Sequence, residues 1–258
     1  MNNHEIDFKL FGEEMQCVEV ELDPQEAVIA EPGSFMMMTD GIQMQTLFGD
    51  GNETGFMSKL FSAGKRLLTG ENLFMTVYTN NSNQKRQVTF AAPYAGKIIP
   101  MDLSKLGSKV ICQKDSFLCA AKGVAVGIEF QKKLGTGLFG GEGFIMQKLE
   151  GDGMAFVHSG GHVIEKQLLP GEILKVDTGC IVAFTSDVNY DIQFVGGIKN
   201  TLFGGEGVFY ASLRGPGKVW IQTLPISRLA GRILSFGKGS RKEEGSILGG
   251  LGNLIDGD

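Results

Sequence analysis

Leu138-Phe139-Gly140-Gly141-Glu142-Gly143 recurs letter for letter as Leu202-Phe203-Gly204-Gly205-Glu206-Gly207, a displacement of 206 − 142 = 64 residues. The same displacement superposes Val124 on Val188, Ile128 on Ile192, Phe130 on Phe194, Leu149 on Leu213, Gly151 on Gly215 and Gly153 on Gly217. The chain is therefore internally duplicated. Sixty-four residues is longer than a solenoid turn, so each copy is a small packed sheet unit.

A more diverged copy comes first. Gly41-Ile42 and Phe48 align with Gly123-Val124 and Phe130 at 82 residues, whereas Gly70-Glu71 and Phe74-Met75 align with Gly141-Glu142 and Ile145-Met146 at 71. The change of offset, 82 − 71 = 11, marks an extra loop between Gly49 and Gly64. Three copies follow, at about 8–110, 111–177 and 178–225, in one β-rich body over 1–235, with a Gly-rich linker and apolar tail over 236–258.

Local patterning agrees. Val18-Glu19-Val20-Glu21-Leu22 alternates with period two and stops at Asp23-Pro24; Ala27 to Ala30 stops at Pro32-Gly33, and Phe35 to Met38 at Asp40-Gly41. Short strands closed by Pro-Gly and Asp-Gly every ten residues or so spell an all-β sandwich or barrel. Val124, Val126, Ile128 and Phe130 are expected on one face, the core face, since strand side chains alternate. A short helix is expected beyond Pro225, and Ile247, Leu248, Leu251, Leu254 and Ile255 lie at helical spacing in the tail.

Of 258 residues, 42% are hydrophobic and 21% charged, ordinary for a globular protein, and 38 are glycine, suited to many tight turns. The net charge of −5 argues against general nucleic-acid binding. The four cysteines have no CxxC spacing and sit in apolar surroundings, as small buried thiols do in a reducing compartment. Met1 to Glu5 has neither a basic nor an apolar targeting region, and no apolar run reaches membrane-spanning length, so the expected location is the cytoplasm.

The hexapeptide, its copy, and Gly215-Pro216-Gly217-Lys218-Val219-Trp220-Ile221-Gln222-Thr223-Leu224-Pro225 resemble the AIM24 family, from Phe8 to Ile233. That resemblance implies a TRAP-like fold of stacked antiparallel β-sheets with threefold internal repetition, shared with the tryptophan RNA-binding attenuation protein, and a homo-oligomer. Members resembling the mitochondrial protein are tied to inner-membrane organisation. The start here lacks an Arg- and Ser-rich transit segment, so the chain resembles prokaryotic members. No catalytic residues come with the family.

Few side chains offer chemistry. Gly135, Gly137 and Gly140 form a GxGxxG, but Phe144 to Gln147 after it reads as strand, where a dinucleotide site needs a helix; no Lys-Ser or Lys-Thr follows for a P-loop. Gly140, Gly141, Gly143, Gly204, Gly205 and Gly207 are better read as backbone devices. Glu71, Glu142 and Glu206 hold equivalent places, so they either ring an axis as a ligand or cation site or cap their own turns, the simpler reading. His158 and His162 flank an expected hairpin tip, where with Glu165 they are weak candidates for a metal, against the simpler reading of a hydrogen-bonded turn. Trp220 is either a core aromatic, the simpler reading, or a ligand platform.

The three histidines supply no catalytic constellation. The expected function is a non-enzymatic, homo-oligomeric binding or scaffolding protein without a cofactor, its tail free to meet a membrane or a protein partner. The rival is a small-ligand or metal-dependent sensor or enzyme built on the His158/His162 pair or the repeated glutamates.

Overall fold

The computed structural model describes residues 3–48, 74–132, 144–194, 209–234 and 236. The repeated hexapeptides, Glu71, Glu142, Glu206, the loop from Gly49 to Gly64 and the tail over 237–258 lie outside the described residues.

Nineteen strands are described, and apart from the first they fall into three sets of six. β1 spans Asp7–Phe11. The first set is β2 (Cys17–Leu22), β3 (Ala27–Ala30), β4 (Phe35–Met38), β5 (Ile42–Phe48), β6 (Phe74–Asn80) and β7 (Arg86–Ala91). The second is β8 (Gly96–Asp102), β9 (Lys109–Gln113), β10 (Phe117–Ala121), β11 (Ala125–Lys132), β12 (Phe144–Glu150) and β13 (Met154–Gly160). The third is β14 (Val163–Leu168), β15 (Ile173–Asp177), β16 (Ile181–Thr185), β17 (Asn189–Phe194), β18 (Phe209–Arg214) and β19 (Gly217–Gln222). Grouped by sheet pattern, the units begin at β2, β8 and β14.

Each set divides between two sheets. The sheet orders are β1-β2-β7-β4, β5-β6-β3-β10-β13-β8, β11-β12-β9-β16-β19-β14 and β15-β18-β17. Every ladder is antiparallel, so each inner sheet is one half from one set joined to the complementary half from the next. Apolar clusters fill the three spaces between successive sheets. Val18, Val20, Leu22, Val88 and Phe90 of the first sheet pack against Val28, Cys119 and Phe156 of the second. Ile29, Ala120 and Val157 on the reverse face of that sheet meet Val110, Cys112, Leu149 and Trp220 of the third. Ile111, Met146, Phe184 and Val219 then meet Val176, Ile192, Ala211 and Leu213 of the fourth. The molecule is a stack of four sheets. Burying one Val, Leu, Ile or Phe side chain contributes about 1.5–3 kcal/mol, so these interlayers hold the stack together.

The repetition extends to irregularities. A register shift falls between Phe35 and Met37, between Phe117 and Cys119, and between Ile181 and Ala183. Each is a bulge at the same place, and a bulge bends its strand and increases its twist. A further shift between Ile128 and Phe130 corrects the expected single face of β11: Val124 and Val126 pack between the second and third sheets, whereas Phe130 packs between the third and fourth. Beyond Pro225 a helix runs over 226–234, its first turn closed by hydrogen bonds from the Arg228 and Leu229 amides to the Pro225 carbonyl.

Candidate functional site

His158 and His162 do not share a hairpin. β13 pairs with β8 and β10 in the second sheet, while β14 pairs with β19 in the third, so Gly160 to His162 is a crossing between layers. Sequence spacing could not separate a crossing from a hairpin, because Gly160-Gly161 suits both.

The crossing is clasped on two sides. The Gly161 amide donates to the Ala95 carbonyl at 3.0 Å, and the Gly160 amide donates to Gln222 Oε1 at 2.7 Å. The His162 amide donates to Thr223 Oγ1 at 2.9 Å, and the Thr223 and Leu224 amides donate to the His162 and Gly160 carbonyls, each at 3.1 Å. A Cβ on Gly160 would collide with the Leu224 carbonyl, so the close approach admits only glycine.

His158 is buried beneath this crossing. Its Nε2 lies 3.1 Å from the Tyr94 carbonyl, which can only accept, so Nε2 carries the proton. The Tyr94 ring meets the imidazole edge to face at 4.4 Å between centroids. Burial pushes the imidazole down to about 4, the Tyr94 carbonyl bond opposing only in part, and burial pushes the Tyr94 phenol up to about 12. Among the described residues Nδ1 has no partner. His162 is exposed, and among the described residues no group of three His, Cys, Asp or Glu could hold a metal.

Gln222 occupies the place in the third unit that His158 occupies in the second. It too is buried and clasps backbone: Oε1 accepts from Gly160, and Nε2 donates to the Gly179 carbonyl at 2.8 Å. The equivalence identifies the His158 bond to Tyr94 as a structural clasp. Asn80 works alike at the first unit, donating to the Leu22 and Gln84 carbonyls at 2.9 and 2.8 Å while accepting from Ser82.

Trp220 is buried in the interlayer between the second and third sheets. Its indole Nε1 donates to Glu165 Oε2 at 3.0 Å, and Lys218 Nζ holds Oε1 at 2.8 Å. The Lys218 hydrogen bond, ahead of that from Trp220, keeps the Glu165 carboxyl below its ordinary range. Glu165 thus anchors the indole rather than a metal, and the buried ring presents no platform. Sequence reading passed over Glu31, whose carboxyl burial raises to about 7 despite Lys114 nearby. It passed over Gln147 as well, fully buried with neither amide atom partnered among the described residues. A glutamine directly after the apolar run Phe144-Ile145-Met146, on the same strand, was the available signal for Gln147. Cys112 and Cys119 are buried, and desolvation raises the first thiol to about 12 and the second well above its usual value.

Residues 8–224 match the family model described as mitochondrial biogenesis AIM24. The chain belongs to the AIM24 family. An uncharacterized protein of Streptococcus pyogenes serotype M6 is 28% identical over 221 residues, covering 85% of this chain and 86% of its own. A crystal structure of another Streptococcus pyogenes protein superposes with a TM-score of 0.71, at 22% identity, over 90% of this chain and all of that one. That likeness establishes the fold: all-β stacked sheets are common to both chains. No helix among the described residues is long and apolar enough to cross a membrane. For this AIM24 family member the buried Asn80, His158 and Gln222 side chains bind mostly backbone.

Proposed function

We propose that this AIM24 family protein is a non-enzymatic, homo-oligomeric scaffold or binding protein. One observation carries the reading. Among the described residues the stack begins with a four-stranded sheet and ends with a three-stranded one, whereas both inner sheets have six strands. The terminal layers are half-sheets, and apolar side chains lie exposed on both: Leu10, Phe11 and Phe35 to Met38 on the first, Ile173 on the last. An uncovered apolar edge strand is a template for pairing with another chain. A body that repeats one construction and stops halfway at each end is built to be continued by its own kind.

Native mass spectrometry of untagged protein, gentle and then denaturing, tests the reading. A defined homo-oligomer whose mass is a whole multiple of the chain is expected. A monomer, or a small molecule or metal released in stoichiometric amount on denaturation, would overturn it in favour of a ligand-dependent sensor or enzyme.

A further inference from the structure

Inside the chain, one kind of join is made twice. In the second sheet β3 pairs with β10 at Ala30↔Cys119, Ile29↔Ala120 and Val28↔Ala121. In the third, β9 pairs with β16 at Cys112↔Ala183, Ile111↔Phe184 and Val110↔Thr185. The two registers superpose under offsets of 112 − 30 = 82 and 183 − 119 = 64. The third strand of this first kind is β15, and the missing strand of the second kind is β4. Among the described residues β15 pairs only with β18, and β4 only with β7.

We propose that β15 of one copy of this chain pairs antiparallel with β4 of a second copy. The join completes a six-stranded composite sheet and assembles the protein head to tail. This rests on the homo-oligomeric reading above and specifies its interface. The repeat offsets set the register: Val176 opposite Met37, Lys175 opposite Met38, and Leu174 opposite Thr39. The bonds that bracket the β3·β10 join, from the Glu31 amide to the Leu118 carbonyl and from the Lys122 amide to the Ala27 carbonyl, are both 3.0 Å. Their counterparts run from the Asp177 amide to Met36 and from the Asp40 amide to Ile173.

Burial supports the assignment. Phe117 to Ala120 and Ile181 to Phe184, which occupy the matching positions of β10 and β16, are at most 3% exposed. In β4, Phe35, Met36, Met37 and Met38 are 38%, 54%, 51% and 38% exposed. All four residues of β3 are buried, yet Ile173 at the start of β15 is 47% exposed. Proteins ordinarily blunt a free edge with charge, proline or covering chain, and an uncovered apolar edge is a template for pairing. Three methionines in a row leave this edge adaptable.

The Val176 face matches as well, whereas on the opposite face β15 places Lys175, over the Tyr210 ring, where β3 and β9 place the buried Ile29 and Ile111. Val176 already belongs to the cluster between the third and fourth sheets, and Met37 would extend that face. Met38 lies opposite Val88, whose side chain belongs to the cluster between the first and second sheets, so the other face continues into the neighbour's core. A contact between two different surfaces closes into a ring or runs on as a filament, according to the rotation it imposes.

The test uses full-length chains carrying Met37→Cys or Val176→Cys. Each variant is oxidised alone, the two are oxidised mixed, and a chain carrying both is oxidised too. Directly opposed positions bring Cα atoms within disulfide range. A dimer linked by disulfide in the mixture, above the background of either variant alone, is expected. No such dimer from a protein that native mass spectrometry shows to be oligomeric would overturn this interface and leave the oligomeric reading standing. A monomeric protein would overturn both, and a bond formed within the doubly substituted chain would show that the edges close on themselves.

A second variant guards against misfolding of the first. Alternation of hydrogen bonds along the edge points the Lys175 amide toward the proposed neighbour and away from β18. Lys175→Pro removes that donor at a position where an edge strand accommodates proline. Loss of assembly with an unchanged circular dichroism spectrum is expected; unchanged assembly would overturn the proposal.

Discussion

His158 shows how a residue type that usually suggests chemistry can be taken up by architecture. An imidazole under a crossing, with its one proton given to a carbonyl, is held neutral because burial disfavours the cation. Its pKa is depressed in the fold, so its contribution is present above the ordinary value of 6.5 and is lost as pH falls toward about 4. A full shift would amount to about 3 kcal/mol. Glu31 acts in the opposite sense: its raised pKa favours the folded state below 4.5, and that contribution fades as pH rises through about 7. Subtracting the curve of His158→Gln from that of the wild type cancels the Glu31 contribution. The wild type is expected to lose about 2–3 kcal/mol relative to the variant between pH 6.5 and 4, measured by urea unfolding. Parallel stability curves would show that His158 is not held neutral by the fold.

At the scale of elements, the layer crossings are where the stack is fastened. Gln222 satisfies one amide and one carbonyl from two different segments, Gly160 and Gly179, so removing it leaves two buried backbone groups unpartnered. Gln222→Leu is expected to destabilise the protein by about 2–5 kcal/mol and to lower Tm by several degrees. A melting temperature unchanged within a degree would mean that the crossing is held by its other bonds. Such fastening was invisible in sequence, because the Gly160 to Gln222 contact joins residues 62 positions apart. The strands themselves were legible. Alternation at Val18, Val20 and Leu22 reports the buried face of β2 directly, and Pro-Gly and Asp-Gly mark the ends of β3 and β4. The bulge in β11 was not, since period-two reasoning assumes an unbroken pleat and one extra residue turns Phe130 toward the opposite interlayer.

For the whole molecule, the repeat in the sequence announced three like units but not how they share layers. Identical offsets describe three separate lobes and a continuous stack equally well; only the joins β3·β10 and β9·β16 distinguish them. Those joins are also what leave β4 and β15 as complementary ends. Of the candidate site residues, the structure places Trp220 and His158 in packing and hydrogen-bonding roles, whose partners, Glu165 and Tyr94, lie 55 and 64 positions away in sequence.

Hydrogen exchange followed by mass spectrometry on the assembled protein tests the account most directly, because exchange reports whether edge amides are bonded. Peptides covering residues 34–40 and 172–178 are expected to be protected about as strongly as those covering 117–121 and 109–113, and to lose that protection in Lys175→Pro. Rapid exchange at both edges in an assembled wild-type protein would contradict the claim that this chain is continued by its own half-sheets.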